Sequence, residues 1–66
     1  MNSSLRTGDG AAHLRELRRA MHQYNMLSGR FVRHLMVEGE EHPAVVKAED
    51  RMLQAARNLI DWDDQR

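Results

Sequence analysis

Apolar residues recur along this chain at alternating steps of three and four. Leu14, Leu17, Met21, Tyr24, Ser28, Phe31 and Leu35 keep that rhythm for about three heptads, the pattern of an amphipathic helix. At 100° per residue the seven positions share a sector of roughly 100°. Arg15, Arg18, Arg19, His22, Arg30 and Arg33 occupy a comparable sector on the other side, interrupted only by Met26. Downstream, Val45, Ala48, Met52, Ala55, Leu59 and Trp62 repeat the same steps, and Val46, Leu53, Ala56 and Ile60 widen that stripe along one flank. The second stripe spans an arc of about 200°, more than one neighbouring helix can cover.

These two patterns predict two helices. Residues 1–9 offer little to bury and read as a disordered arm ending in Asp9, whose carboxylate can cap the first turn of a helix. Helix 1 is expected over 10–37, roughly 40 Å long. Ser28-Gly29 is its weak point, because a helical glycine costs about 1 kcal/mol relative to alanine. A break there would give three helices. The uninterrupted three-four phase favours one continuous helix, with the small pair marking a place where a neighbour can approach closely. Residues 38–42 form the turn: Gly39 suits a left-handed helix end, and Pro43 suits the first position of the next helix. Helix 2 is expected over 43–62.

A short turn makes the helices antiparallel neighbours. Facing residues should then have numbers summing to about 80, pairing Leu35 with Val45, Ser28 with Met52 and Met21 with Leu59. The fold class is therefore all-α: a two-helix antiparallel hairpin, completed as a dimeric four-helix bundle or by docking onto a partner. Its interface residues are Leu14, Leu17, Met21, Tyr24, Phe31, Leu35, Val45, Val46, Met52, Leu53, Leu59, Ile60 and Trp62. Tyr24, Phe31 and Trp62 are the large rigid anchors among them. Met21, Met26, Met36 and Met52 add adaptable surface or ordinary filler.

Charge divides the chain. Through Val37 six arginines oppose Asp9 and Glu16, a balance of +4; from Glu38 onward eight acidic residues oppose four basic ones, a balance of −4. Either the two halves complement each other side by side, or a basic face is kept for an anionic partner. Arg15, Arg19, Arg30 and Arg33 are the candidate anion-binding stripe, which a symmetric dimer would double. No aromatic residue interleaves with them, so stacking on single-stranded bases has little support. With 66 residues the chain makes at most one small domain, in the size range where a lone core gives marginal stability. The absence of cysteine excludes disulfides and thiolate metal sites and makes the cytoplasm the default compartment. No apolar run approaches the length of a signal sequence or a membrane span, so a soluble, unprocessed chain is expected.

The chemistry on offer is thin. His34, Glu38, Glu41 and His42 cluster near the turn, and His34 with Glu38 has the i, i+4 spacing of helical metal ligands, but no third ligand follows at a suitable spacing. No serine or cysteine nucleophile stands beside a histidine, and a hairpin has no cleft of its own, so no catalytic, metal or cofactor site is predicted. Glu49 and Asp63 fall within the helix 2 apolar arc, where each carboxylate must reach water or find a partner. Several families of small helical hairpins share this format, among them plasmid copy-number regulators and type III secretion co-chaperones. Only helix length and apolar spacing are shared. The Ser-Gln-Glu-Leu-Asp signature of sporulation phosphatase hairpins is missing from the run Lys47-Ala48-Glu49-Asp50-Arg51-Met52. The expectation is a non-enzymatic adaptor, regulator or chaperone-like protein that binds itself or another helical protein. A dimeric nucleic-acid binder using the arginine stripe is the alternative.

Overall fold

The computed structural model describes the backbone of residues 2–65 and the side chains of residues 10–65. The described residues form three helices: α1, Asn2–Arg30; α2, Val32–Glu38; and α3, Pro43–Asp64. The first helix starts earlier than its sequence suggests. Asp9 lies inside α1, so it does not cap it, and the segment expected to be a disordered arm is helical from Asn2. Nucleation is the costly step of helix formation, and each added residue then gains one backbone bond, so a helix established further on extends backwards until something stops it. No proline occurs before Pro43 to do so. At the other end, α3 continues to Asp64, two residues past the expected boundary.

Ser28 and Gly29 are both helical, and the discontinuity falls at Phe31 instead. Phe31 adopts φ −107° and ψ 21°, outside the helical well. The distortion is confined to one residue: the Phe31 amide still donates to the Leu27 carbonyl at 2.9 Å, and the Leu35 amide to the Phe31 carbonyl at 3.3 Å. The helical phase therefore carries through into α2, while the Phe31 ring stacks on His42, with 3.9 Å between ring centroids and 14° between planes.

Gly39 ends α2 in the left-handed conformation at φ 79°, its amide donating to the Leu35 carbonyl at 2.9 Å. Pro43 opens α3 as expected. The capping residue is His42, whose Nδ1 accepts from the Ala44 amide at 3.0 Å, the part usually taken by a serine or aspartate oxygen. Between these caps the chain does not turn tightly. Residues 39–40 bend and His42 is extended at φ −59° and ψ 142°. The stacking of His42 on Phe31 sets the start of α3 beside the end of α1, past the length of α2. Among the described residues no Cα of α2 comes within 8 Å of one in α3, so α2 overhangs the end of α3.

This return sets the register. The α1 and α3 helices pack side by side and antiparallel, joined through Gly10 and His13 with Trp62, Gln23 with Arg51, and Phe31 with His42. Those numbers sum to between 72 and 75, about two helical turns away from the expected register. Leu35 therefore overhangs and does not oppose Val45, Ser28 does not oppose Met52, and Met21 does not oppose Leu59.

The α1 face turned towards α3 is also rotated from expectation. The less exposed positions of α1 and of the residues that continue it are Gly10, His13, Leu17, Ala20, Tyr24, Leu27, Ser28, Phe31 and His34, all but Ser28 in steps of three and four, while Leu14, Met21 and Leu35 are exposed. On α3 the expected seam holds: Val45, Ala48, Met52, Ala55, Leu59 and Trp62 are all buried or half-buried. The most buried side chains are small, with Ala20 and Val45 at 2% exposure and Ala48 and Ala55 at 5%. Close approach occurs at Gly10, where an added Cβ would lie 2.6 Å from the Trp62 ring. At Gly29, the glycine expected to admit a neighbour, nothing in the chain lies within 4 Å of that position. The molecule is a slab measuring 54 × 17 × 11 Å between Cα extremes.

Candidate functional site

With helix-facing positions fixed, the two broad faces of the slab follow from helical geometry. In an antiparallel pair, positions one residue after the second seam position of each heptad lie on one face, and positions one residue before the first lie on the other. On the first face α1 and α2 present Leu14, Met21, Ser28 and Leu35. Further round on the same side, α3 presents Val46, Leu53 and Ile60, with Ala56 and Glu49 nearer the seam. Six of these are large apolar side chains left exposed, from 38% at Leu14 to 59% at Leu53 and Ile60. The second face is polar. There the Arg51 guanidinium donates to the Gln23 side-chain carbonyl at 3.4 Å, and Gln23, Leu27, Ala44, Lys47, Ala48 and Arg51 line a shallow groove.

Exposed side chains of this size in regular heptad spacing form a contiguous stripe, which scattered surface leucines do not. The contrast with the seam is chemical as well as geometric. Three alanines and one valine are buried between the helices, while methionine, isoleucine, valine and three leucines keep 38% to 59% of their surface in water. Covering the first face would release further burial energy. The overhanging α2 adds Val32, 48% exposed, while its Met36 and Val37, 79% and 72% exposed, lie off this face.

The remaining candidate residues sort themselves around these faces. Leu17, Tyr24, Met52, Leu59 and Trp62 belong to the α1–α3 seam, and Phe31 to the histidine corner. Trp62 lies across Gly10, with its ring 6.4 Å from that of His13 and tilted by 52°. Arg15, Arg19, Arg30 and Arg33 are all exposed, with the Arg30 guanidinium 5.8 Å from the Phe31 ring centroid. Glu49 is half-buried at the edge of the apolar face, and Asp63 is exposed.

At the turn, His34 and His42 come together edge to face, with ring centroids 5.0 Å apart. Accepting the Ala44 amide commits His42 Nδ1 to the cap. His42 thus caps the start of α3, stacks on Phe31 and meets His34. Among the described residues no group of three or more histidine, aspartate or glutamate side chains is placed to hold a metal ion. No described helix is long and apolar enough to cross a membrane.

Ala20 and the capping role of His42 were missed in the sequence. The signal for the first was present, since Leu17, Ala20, Tyr24, Leu27, Phe31 and His34 form an unbroken three-four series once alanine and histidine count as seam residues. Comparison with protein-family models, with curated proteins and with solved structures gives no match to this chain.

Proposed function

We propose that this chain is a non-enzymatic helical interaction protein, an adaptor, regulator or chaperone-like hairpin of the cytoplasm that works by burying its apolar face against helices of another chain. The exposed series Leu14, Met21, Leu35, Val46, Leu53 and Ile60 carries this reading, because one face of a narrow slab concentrates large apolar side chains that the seam leaves between 38% and 59% exposed. A helix laid along that face would find side chains at heptad spacing, the arrangement used in helix-in-groove recognition and in bundle assembly.

The test replaces one exposed apolar residue with a charge. Leu53→Asp removes no seam contact, so helicity should survive while self-association or capture of a helical partner falls at least a hundredfold. Unchanged association in a folded Leu53→Asp protein would end this reading. A second reading rests on the exposure of Arg15, Arg19, Arg30 and Arg33: a phosphate backbone would meet four cations with no competing seam role. Affinity for a duplex that falls steeply with salt, and falls further with each Arg→Ala change along the stripe, would favour it over the adaptor.

A further inference from the structure

We infer that the apolar face is closed by a second copy of this chain, laid on it crosswise so that each α1 packs antiparallel on the other α1 and each α3 on the other α3. The inference rests on the reading of that face as an interaction surface and names its occupant and geometry. Area supports a second copy. One broad face lies within 54 × 17 Å, and with α3 filling about 33 Å of that length it measures on the order of 700 Å², inside the roughly 600–1,000 Å² that each partner contributes to a stable protein interface.

The pattern of side chains supports the crosswise geometry. Met21 and Leu53 stand at the same level of the slab, their numbers summing to 74 within the observed register. A two-fold axis passing across the helices at that level sets Met21 on Met21 and Leu53 on Leu53. It then sets Leu14 on Ser28 of the second copy, large on small, and Val46 on Ile60. Gly29, with nothing within 4 Å in its own chain, lies next to that contact.

Charge follows the same symmetry. On α3 the crosswise axis brings Arg57 to the level of Glu49 and Asp50 of the second copy, giving two reciprocal clusters of opposite charge beside the apolar stripe. The competing arrangement has its axis along the helices and stacks α1 on the α3 of the second copy. It satisfies the overall division between basic and acidic halves, but its local pairs are unfavourable. Arg15 and Arg18 would flank Arg57, and the half-buried Glu49 would meet Glu49 at the same level near the bundle centre. Contacts at a few ångströms outweigh net charges separated by a helix diameter, which salt screens.

The chain has no cysteine, so a Glu38→Cys variant carries one spin label, at the exposed end of α2. Residue 38 lies 17 positions from Met21, about 25 Å along the helix. Pulsed dipolar spectroscopy should therefore give a label separation of roughly 50 Å in the crosswise dimer, against less than about 25 Å if both turns lie at one end. A dimeric mass with the long distance supports the inference, as does roughly tenfold weakening by Arg57→Glu that Asp50→Arg in the same chain reverses. A dimer with the short distance overturns the crosswise geometry. A monomeric mass at every concentration overturns the second copy, while a helical partner could still occupy the face. Dipolar coupling that persists unchanged in Leu53→Asp would show that the contact lies elsewhere, overturning both this inference and the function proposed above.

Discussion

The seam between α1 and α3 and the face beside it use apolar residues in opposite ways. The seam hides small ones: Ala20, Ala48 and Ala55, with Val45 and with Gly10 beneath Trp62. The face displays large ones, with Leu53 and Ile60 each more than half exposed. Small residues let two helix backbones approach closely and give good dispersion contact, but they withdraw little area from water. Large residues on one outer face, still 38% to 59% exposed, withdraw the rest of their area only when something covers them. A pair of helices built this way has its geometry fixed by the seam and much of its prospective stability placed outside.

That division can be broken most directly from the outer side. Leu53→Asp should leave the helical circular-dichroism signal of a dilute sample intact while costing roughly 3 kcal/mol or more of association, in the range of an interface hot spot. The mirror experiment is made in the seam. Ala48→Leu forces extra carbons between two closely packed helices and should cost about 1–3 kcal/mol of folding stability, read from a lower thermal midpoint. If Ala48→Leu were neutral, the helices would not be in the close contact that its 5% exposure implies.

Smaller effects sharpen the contrast at the glycines. Gly39→Ala places a side chain at φ 79°, where an L residue is strained, and should cost roughly 1–2 kcal/mol in a denaturant titration. Gly29→Ala enters open space within a helix and should raise the stability of the dissociated chain by up to about 1 kcal/mol. Gly10→Ala gains the same helical propensity but pushes on the Trp62 ring, so the gain should be largely cancelled. Its readout is cleaner than its energy: the chain has one tryptophan, whose emission should shift to the red as the ring is displaced into water. Equal stabilisation by both glycine substitutions, with unchanged emission, would mean that Trp62 does not rest on Gly10.

These positions also explain how far the sequence could be read. Period and turn chemistry were legible: the three-four steps predict the helices, Gly39 their interruption, Pro43 the restart, and the α3 seam residue by residue. The face of α1 was not. Ranking positions by side-chain size selected Leu14, Met21 and Leu35 for the seam, whereas a close helix contact selects Ala20 and Gly10 and leaves the large side chains outside. Register was lost for a different reason. It depends on whether residues 39–42 turn sharply or run back along α2, and that depends on His42 reaching both Phe31 and the Ala44 amide, two contacts that leave no periodic trace. Phe31 itself, the one non-helical residue between α1 and α2, is marked by neither glycine nor proline.

The measurement closest to the central claim is molar mass against concentration, by light scattering or sedimentation equilibrium, on the full chain. A face of large apolar side chains that needs covering predicts a mass near 15 kDa, twice the 7.7 kDa of one chain, falling towards one chain only on dilution or on Leu53→Asp substitution. A species of 7.7 kDa at millimolar concentration would contradict closure of that face by a second copy, because the apolar side chains would then stay uncovered even where association is most favoured.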